Sequence, residues 1–263
     1  MELFKLLIVF LAAMVAGAVN SVAGGGTVFN FTGLVWYGLP TVNANATNAT
    51  SLIPGSLGAA MAMRHELKAQ WRELIILLIP TMLGSLIGAF VVANTSESIF
   101  RRVVPFLILF ATLIFASRNA ITRWVQNRSG STPAHASETI SPAGYTLGVA
   151  LQFMISLYGG YFGAGIGILM LTSLSVMGMS HIHKMNALKN TLAVAINSTA
   201  AVFFTLSGKV AWPIALLAAV GALIGGYGLG SYAKRIDQNT LRWGVVAAGV
   251  IVSAYMFVRL YLA

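Results

Sequence analysis

Apolar segments follow one another along the whole chain, at about 3–19, 27–39, 44–63, 74–93, 103–117, 143–158, 166–179, 188–206, 211–232 and 243–262. A helix that crosses a bilayer needs about 20 apolar residues, and fewer when it is broken or surrounded by protein. A soluble fold fails on charge, because only 8% of residues are Asp, Glu, Lys or Arg, against about 25% in a typical soluble domain. The mean hydropathy is +0.82. The pattern predicts an all-α membrane protein, a polytopic helical bundle with the lipid bilayer as its surroundings. Ala16 and Ala18 give the first segment the small-residue pattern of a signal-peptide cleavage site. That segment has a counterpart in the second half, however, so it is read as part of the fold.

The formal net charge of +10 does not point to nucleic acid, since the basic residues lie mostly in short stretches between apolar runs. There they orient the chain. Nine Lys and Arg fall in the groups 64–72, 118–128 and 234–242, against four at Arg101, Arg102, Lys209 and Arg259. Cytoplasmic connections carry the excess of positive charge. This places 64–72, 118–141 and 233–242 inside the cell, and 94–102, 207–211 and the C-terminus outside. The polar stretch 118–142 then reads as a cytoplasmic linker between a first transmembrane repeat, 1–117, and a second, 143–263.

The two halves share an order of features. Each has an apolar segment, a Gly-rich break, a short apolar segment, an Asn-rich entry to a helix, and two further helices. A shift of 141 residues lays Gly24-Gly25-Gly26 on Gly165-Ile166-Gly167 and Asn45-Ala46-Thr47-Asn48 on Asn186-Ala187-Leu188-Lys189. The connection after the Asn-entered helix falls inside in the first half and outside in the second. The expected architecture is therefore two inverted repeats with discontinuous or re-entrant helices. In secondary transporters built this way, the substrate site lies near the midplane where the broken helices meet.

The breaks have a chemistry. Three successive glycines, Gly24 to Gly26, cost helix propensity of about 1 kcal/mol each. Irregular backbone at membrane depth survives only against protein or a water-filled cavity. After each break a short helix begins, and its unpaired N–H groups and positive dipole end suit an anion. Gly84/Gly88 and Gly221/Gly225 have the small-xxx-small spacing of close helix packing instead. Asn45 and Asn48 share a helical face, and Pro54 should kink their helix further along. Thr41 or Asn43 reads equally well as a helix N-cap.

Lys189 occupies the position of Asn48 in the second half, and a lysine at membrane depth usually marks a pathway or a counter-ion. Lys184 is expected to snorkel to the interface. His181 and His183 are read as loop residues, with no metal. Asn197 and Ser198 extend the polar face or bond to a neighbouring helix. No cofactor motif occurs, no P-loop is present, and no cysteine exists to serve as nucleophile. An enzyme is not expected; a passive anion channel is the alternative to a carrier.

The stretch from Asn20 to Thr27, followed by Gly38-Leu39-Pro40, Ala44-Asn45-Ala46-Thr47-Asn48 and Pro54-Gly55-Ser56, resembles the signature of the TauE/SafE sulfite-exporter family. The second-half Gly-rich turn and the Asn186-to-Asn190 stretch fit as well. The resemblance implies a cell inner membrane protein that exports a small sulfur-containing anion, sulfite or an organosulfonate. On the matching positions, it implies Gly24, Gly25, Gly26, Asn45, Thr47 and Asn48 as substrate-binding residues of the first half. Gly165, Gly167, Asn186, Lys189 and Asn190 are their counterparts. His181 and His183 are not features of that signature. A homo-oligomer is compatible with this reading.

Overall fold

The computed structural model describes residues 2–22, 26–68, 70–117, 119–121, 123–124, 140–226 and 238–261. Among them the chain is helical and no strand occurs. The first half contains α1 (Glu2–Val22), α2 (Thr27–Tyr37), α3 (Thr41–Ser51), α4 (Ile53–Ala62), α5 (Arg64–Lys68), α6 (Trp71–Ala93) and α7 (Glu97–Ala116). The second contains α8 (Pro142–Tyr161), α9 (Ile166–Met177), α10 (Ile182–Leu206), α11 (Trp212–Ile224) and α12 (Gln238–Tyr261). Most of the linker, 125–139, lies outside the described residues.

Among the described residues, four helical segments are long and apolar enough to cross a membrane: Glu2–Asn20, Trp71–Ala93, Glu97–Ala116 and Ile182–Leu206. Their outward faces stay apolar, with Ile79, Leu83, Phe90, Phe106 and Val202 all exposed. Water does not solvate such faces; hydrocarbon does. Trp36, Trp71, Trp212 and Trp243 are also exposed. Each sits near a helix end, where amphipathic indoles meet the headgroup level.

The helix boundaries follow local chemistry. α2 and α9 both end at a glycine in the left-handed region, Gly38 at φ 114° and Gly178 at φ 115°. In each, the next residue closes a Schellman motif: Leu39 N–H donates to the Leu34 carbonyl at 3.2 Å, and Met179 N–H to Leu174 at 3.0 Å. Pro40 then leaves the helical region, at φ −52° and ψ 146°, and opens α3 as its N-cap residue. The single segment expected over 44–63 is two helices, α3 and α4, meeting at Leu52. The break sits two residues before Pro54, as the missing proline N–H and ring clash require. The segment expected to begin at 188 begins at Ile182. Counting apolar residues misses the helix's polar first turns, which hold His183, Lys184 and Asn186.

Two helix pairs start 141 residues apart: Thr41 and Ile182, and Trp71 and Trp212. Packing crosses between the halves. α1 lies against α11, α8 against α6, and α7 against α12, while α10 touches α3, α4, α6 and α9. Glycine sets the closeness of the first two pairs. A Cβ at Gly88 would overlap the Leu157 carbonyl of α8, and one at Gly225 would overlap the Met14 carbonyl of α1. Gly84 and Gly221 press against the same two partners, at Phe153 and Phe10. Both small-xxx-small pairs are therefore packing surfaces, as their spacing predicts. Between the pairs, Phe31, Phe100 and Phe204 are fully buried, and Phe31 meets Phe162 edge-on at 5.4 Å.

Replacing Gly88 by Leu should force α6 and α8 apart and destabilise the protein by about 1–3 kcal/mol or more. The thermal unfolding midpoint in detergent would report this, with Gly55→Ala as control, since no atom lies within 4 Å of a Cβ built there.

Candidate functional site

Two hairpins carry the residues singled out above. Each joins a short helix, a glycine-capped turn and an Asn-bearing helix: α2 with α3, and α9 with α10. The start of α2 and the start of α9 converge, because Phe29 and Ile168 contribute to one apolar cluster with Val19 and Ile114.

In the first half, Gly24 and Gly25 lie outside the described residues. Gly26 is held by the Asn20 side chain, whose Oδ1 accepts its N–H at 2.8 Å. A Cβ at Gly26 would overlap the Ala16 carbonyl, so glycine there lets α2 close on α1. One turn on, Asn30 is fully buried. Its Nδ2 donates to Asn48 Oδ1 at 2.8 Å and to Ser51 Oγ at 2.9 Å, and Ser51 Oγ donates to the Asn48 carbonyl at 3.0 Å. Asn30 Oδ1 has no hydrogen-bond partner among the described residues.

The remaining polar groups of α3 tie it to other helices. Asn45 Nδ2 donates to the Tyr161 carbonyl at the end of α8 at 2.9 Å. Thr47 Oγ1 accepts the Ala211 N–H at 3.1 Å, and Asn43 Nδ2 donates to the Lys209 carbonyl at 3.0 Å. The N-cap position belongs to Pro40, not to Thr41 or Asn43. The cap is supplied instead by Glu97 of α7, whose two carboxylate oxygens accept the N–H groups of Thr41 and Val42. A carboxylate on a helix N-terminus meets both the orphan donors and the positive dipole end. Asn45, Thr47 and Asn48 are all at most 2% exposed.

The second half is more open. Gly163 and Gly165 both adopt φ 79°, a conformation that excludes other residues, and the Tyr158 hydroxyl donates to the Ala164 carbonyl between them at 2.8 Å. Beyond them, Gly167 faces the stem of Lys189: a Cβ there would sit 3.6 Å from Lys189 Cδ. Lys189 Nζ donates to Asn186 Oδ1 at 3.0 Å, and Asn186 Nδ2 donates to the Ile182 carbonyl at 2.9 Å. Asn190 Nδ2 lies 3.4 Å from Met63 Sδ. Asn197 Nδ2 donates to Ser56 Oγ at 3.5 Å. Gly167, Asn186, Lys189, Asn190 and Asn197 are all half-buried.

The structure thus brings Lys189, Asn186 and Gly167 together at the first turn of α9. It places Asn45, Thr47 and Asn48 in a sealed network with Asn30, Tyr161 and Ala211. Between α4 and α10, Ser56 meets Asn197 and Met63 meets Asn190. Among the described residues no group of three His, Asp or Glu side chains could hold a metal ion. Sequence reasoning missed Asn30, Tyr158 and Glu97. Asn30 carried a signal, being an amide in the apolar segment 27–39, whereas nothing local marks Glu97 as a partner for residues 55 and 56 positions away.

Long apolar helices, with a glycine-built turn and a lysine beside it, are those of a helical membrane protein. The chain belongs to the Sulfite exporter TauE/SafE family, which it matches over residues 9–256. It is 26% identical to a probable membrane transporter protein of Haemophilus influenzae over 229 residues, covering 84% of this chain and 82% of that one. It is 24% identical to the probable membrane transporter protein YfcA of Escherichia coli K12 over 249 residues, covering 94% and 87%. A third relative, the probable membrane transporter protein ORF9 of a Sinorhizobium species, is 24% identical over 216 residues, covering 82% and 78%. No solved structure matches.

Asn30→Ala should leave the buried Asn48 Oδ1 without its donor and cost about 1–3 kcal/mol of stability. Asn190→Ala, which removes only a contact to sulfur, should cost less than half as much, read as a smaller loss in melting temperature.

Proposed function

We propose that this protein exports a small sulfur-containing anion, sulfite or an organosulfonate, across the cell inner membrane by alternating access. The observation that carries this reading is the unequal exposure of two matching polar sets. Lys189, Asn186 and Gly167 are reachable, while Asn45, Thr47 and Asn48 are sealed. With the positive-rich connections inside, the open set faces the cytoplasm and the sealed set faces the exterior. That is the arrangement of a carrier ready to load from within.

The mechanism runs from these positions. An oxyanion entering beside α9 meets the helix's first turn at Gly167, whose missing side chain leaves room for the Lys189 stem. The Lys189 ammonium supplies the charge, and the amides of Asn186 and Asn190 supply neutral donors. Gly165 shapes the turn that aims the helix N-terminus. Release on the far side requires α3 to part from α7, α8 and α11, breaking the bonds made by Asn45, Thr47 and Glu97. Gly24, Gly25, Gly26 and Asn48 are then the matching binding groups of the first half.

Two inverted repeats fit this cycle. α1 pairs with α11 as α8 pairs with α6, each first helix against the fourth long segment of the other half. Ser56 and Asn197, 141 residues apart, touch each other. Contact between equivalent positions is what an axis of pseudo-symmetry produces. Rocking one repeat against the other around a fixed site would exchange the open and sealed sets.

The first test is a thermal-shift panel on detergent-purified protein with sulfite, thiosulfate, sulfate, sulfoacetate, a carboxylate and chloride. A ligand at 100 times its dissociation constant should stabilise by about 2.7 kcal/mol. Stabilisation by a sulfur oxyanion, lost in Lys189→Ala with the fold intact, is expected; an unchanged shift in that variant would remove the lysine from the site. In vesicles the flux should saturate with substrate; flux that rises linearly with the gradient would identify a passive anion channel instead.

The outer seal has its own test, helped by the absence of native cysteine. With Ala44→Cys as the probe, a membrane-impermeant maleimide should react slowly. Adding Glu97→Ala removes a cap worth about 1–2 kcal/mol, so labelling should accelerate by about five- to thirtyfold. An unchanged rate would show that Glu97 does not hold the exterior closed.

A further inference from the structure

Beyond transport itself, the flank of α6 and α8 carries an apolar groove of about 530 Å³ whose lining exposes no polar surface. Ile79, Pro80 and Leu83 form one wall, and Val149, Phe153 and Met154 the other. The two helices run side by side in the same direction. Arg72 lies beside Tyr145, Thr81 bonds to Gln152, and Gly88 presses on Leu157.

On the same flank, seven residues before Ile79 and so about 10 Å along the helix, stands a cation. The Arg72 guanidinium sits over the Tyr145 ring, 5.5 Å from its centroid. The Tyr145 hydroxyl in turn donates to Glu73 Oε1 at 3.1 Å, which fixes the ring across the gap between the helices. Arg72, Ile79, Pro80 and Leu83 recur at helical spacing on one face of α6, and Tyr145, Val149 and Phe153 do so on α8. The charge and the groove therefore lie on one face of the helix pair. Arg72 is exposed, and the neighbouring Trp71 indole is 60% exposed.

The depth is that of one leaflet. Eleven residues separate Arg72 from Leu83, which at 1.5 Å each is about 16 Å along the helix. Half of a 30 Å hydrocarbon core is about 15 Å. An apolar groove lined from Ile79 to Leu83, with a cation about 10 Å nearer the headgroup level on the same helix face, matches one occupant in shape and charge. We propose that it binds a single anionic phospholipid of the cytoplasmic leaflet, with the phosphate on Arg72 and an acyl chain between α6 and α8. Because this clasps the α6–α8 pair along its outer flank, the lipid stabilises the contact made by Gly84 and Gly88.

Native mass spectrometry of the detergent-purified protein tests this with added phosphatidylglycerol and phosphatidylethanolamine. One phosphatidylglycerol per chain should be retained, favoured over phosphatidylethanolamine by about fivefold, the preference expected from one interfacial cation. Arg72→Gln should bring the preference to within about twofold while both lipids still bind, and Arg72→Lys should restore part of it. Val149→Trp, filling the groove, should abolish retention of both lipids in a variant whose melting curve stays cooperative. Equal retention of the two lipids by the wild type, or an undiminished preference in Arg72→Gln, would overturn the proposal. So would a dimer mass that Val149→Trp converts to monomer, since the groove would then be an interface between copies of the chain.

Discussion

Hydrocarbon offers backbone amides nothing to bond to, and the organisation of this protein answers that constraint. Continuous helices satisfy themselves; where a helix ends, other groups must take part. At the first break the Asn20 side chain takes the Gly26 N–H. At the second, the Tyr158 hydroxyl reaches the Ala164 carbonyl. An unsatisfied group at this depth would cost several kcal/mol, and a side chain from the preceding helix bonds to the backbone at Gly26 and at Ala164. The breaks in turn create the helix starts around which the candidate site is arranged.

Those starts are positioned by close packing of the long helices. Glycine on α6 and α11 lets their backbones meet α8 and α1 with carbonyl oxygens where side chains would otherwise stand. Dispersion contacts of this kind replace the hydrophobic driving force that lipid does not supply. Polar groups then finish the job across helices: Gln152 to Thr81 at 3.0 Å, and Ser85 to the Ile196 carbonyl at 2.7 Å. α10 is consequently held against α6 along one side. Its other side, bearing Lys189 and Asn190, faces the α9 start and α4.

What the sequence made legible was whatever depends on neighbours along the chain. Apolar runs marked the helices, Pro54 marked the α3–α4 break, and the glycine spacings marked the two tight interfaces. The candidate site was legible as residue types but not as a set of partners. Asn45 and Asn48 look alike in sequence, yet one bonds to Tyr161, 116 residues away, and the other to Asn30. Thr41 looks like a cap, but the cap comes from Glu97, because the turn at Pro40 brings the α3 start beneath the α7 start. Such pairings are set by tertiary packing, which no local pattern encodes. The polar opening of α10 was lost for a related reason: hydropathy counts residues, whereas the membrane rewards a bonded backbone whatever side chains it carries.

The crossed pairing of helices also bears on how the protein is made. α1 emerges first from the ribosome, but its glycine-fitted partner, α11, begins only at Trp212. At about 5–20 residues per second, synthesis leaves α1 waiting on the order of 10–40 s. During that interval its groove for Gly221 and Gly225 is open to lipid or to other nascent chains, with α2 alone in place. α8 has no such delay, since α6 precedes it. Assembly is thus asymmetric in time: the α6–α8 pair can form before α11 is made, and α1 is locked in only afterwards.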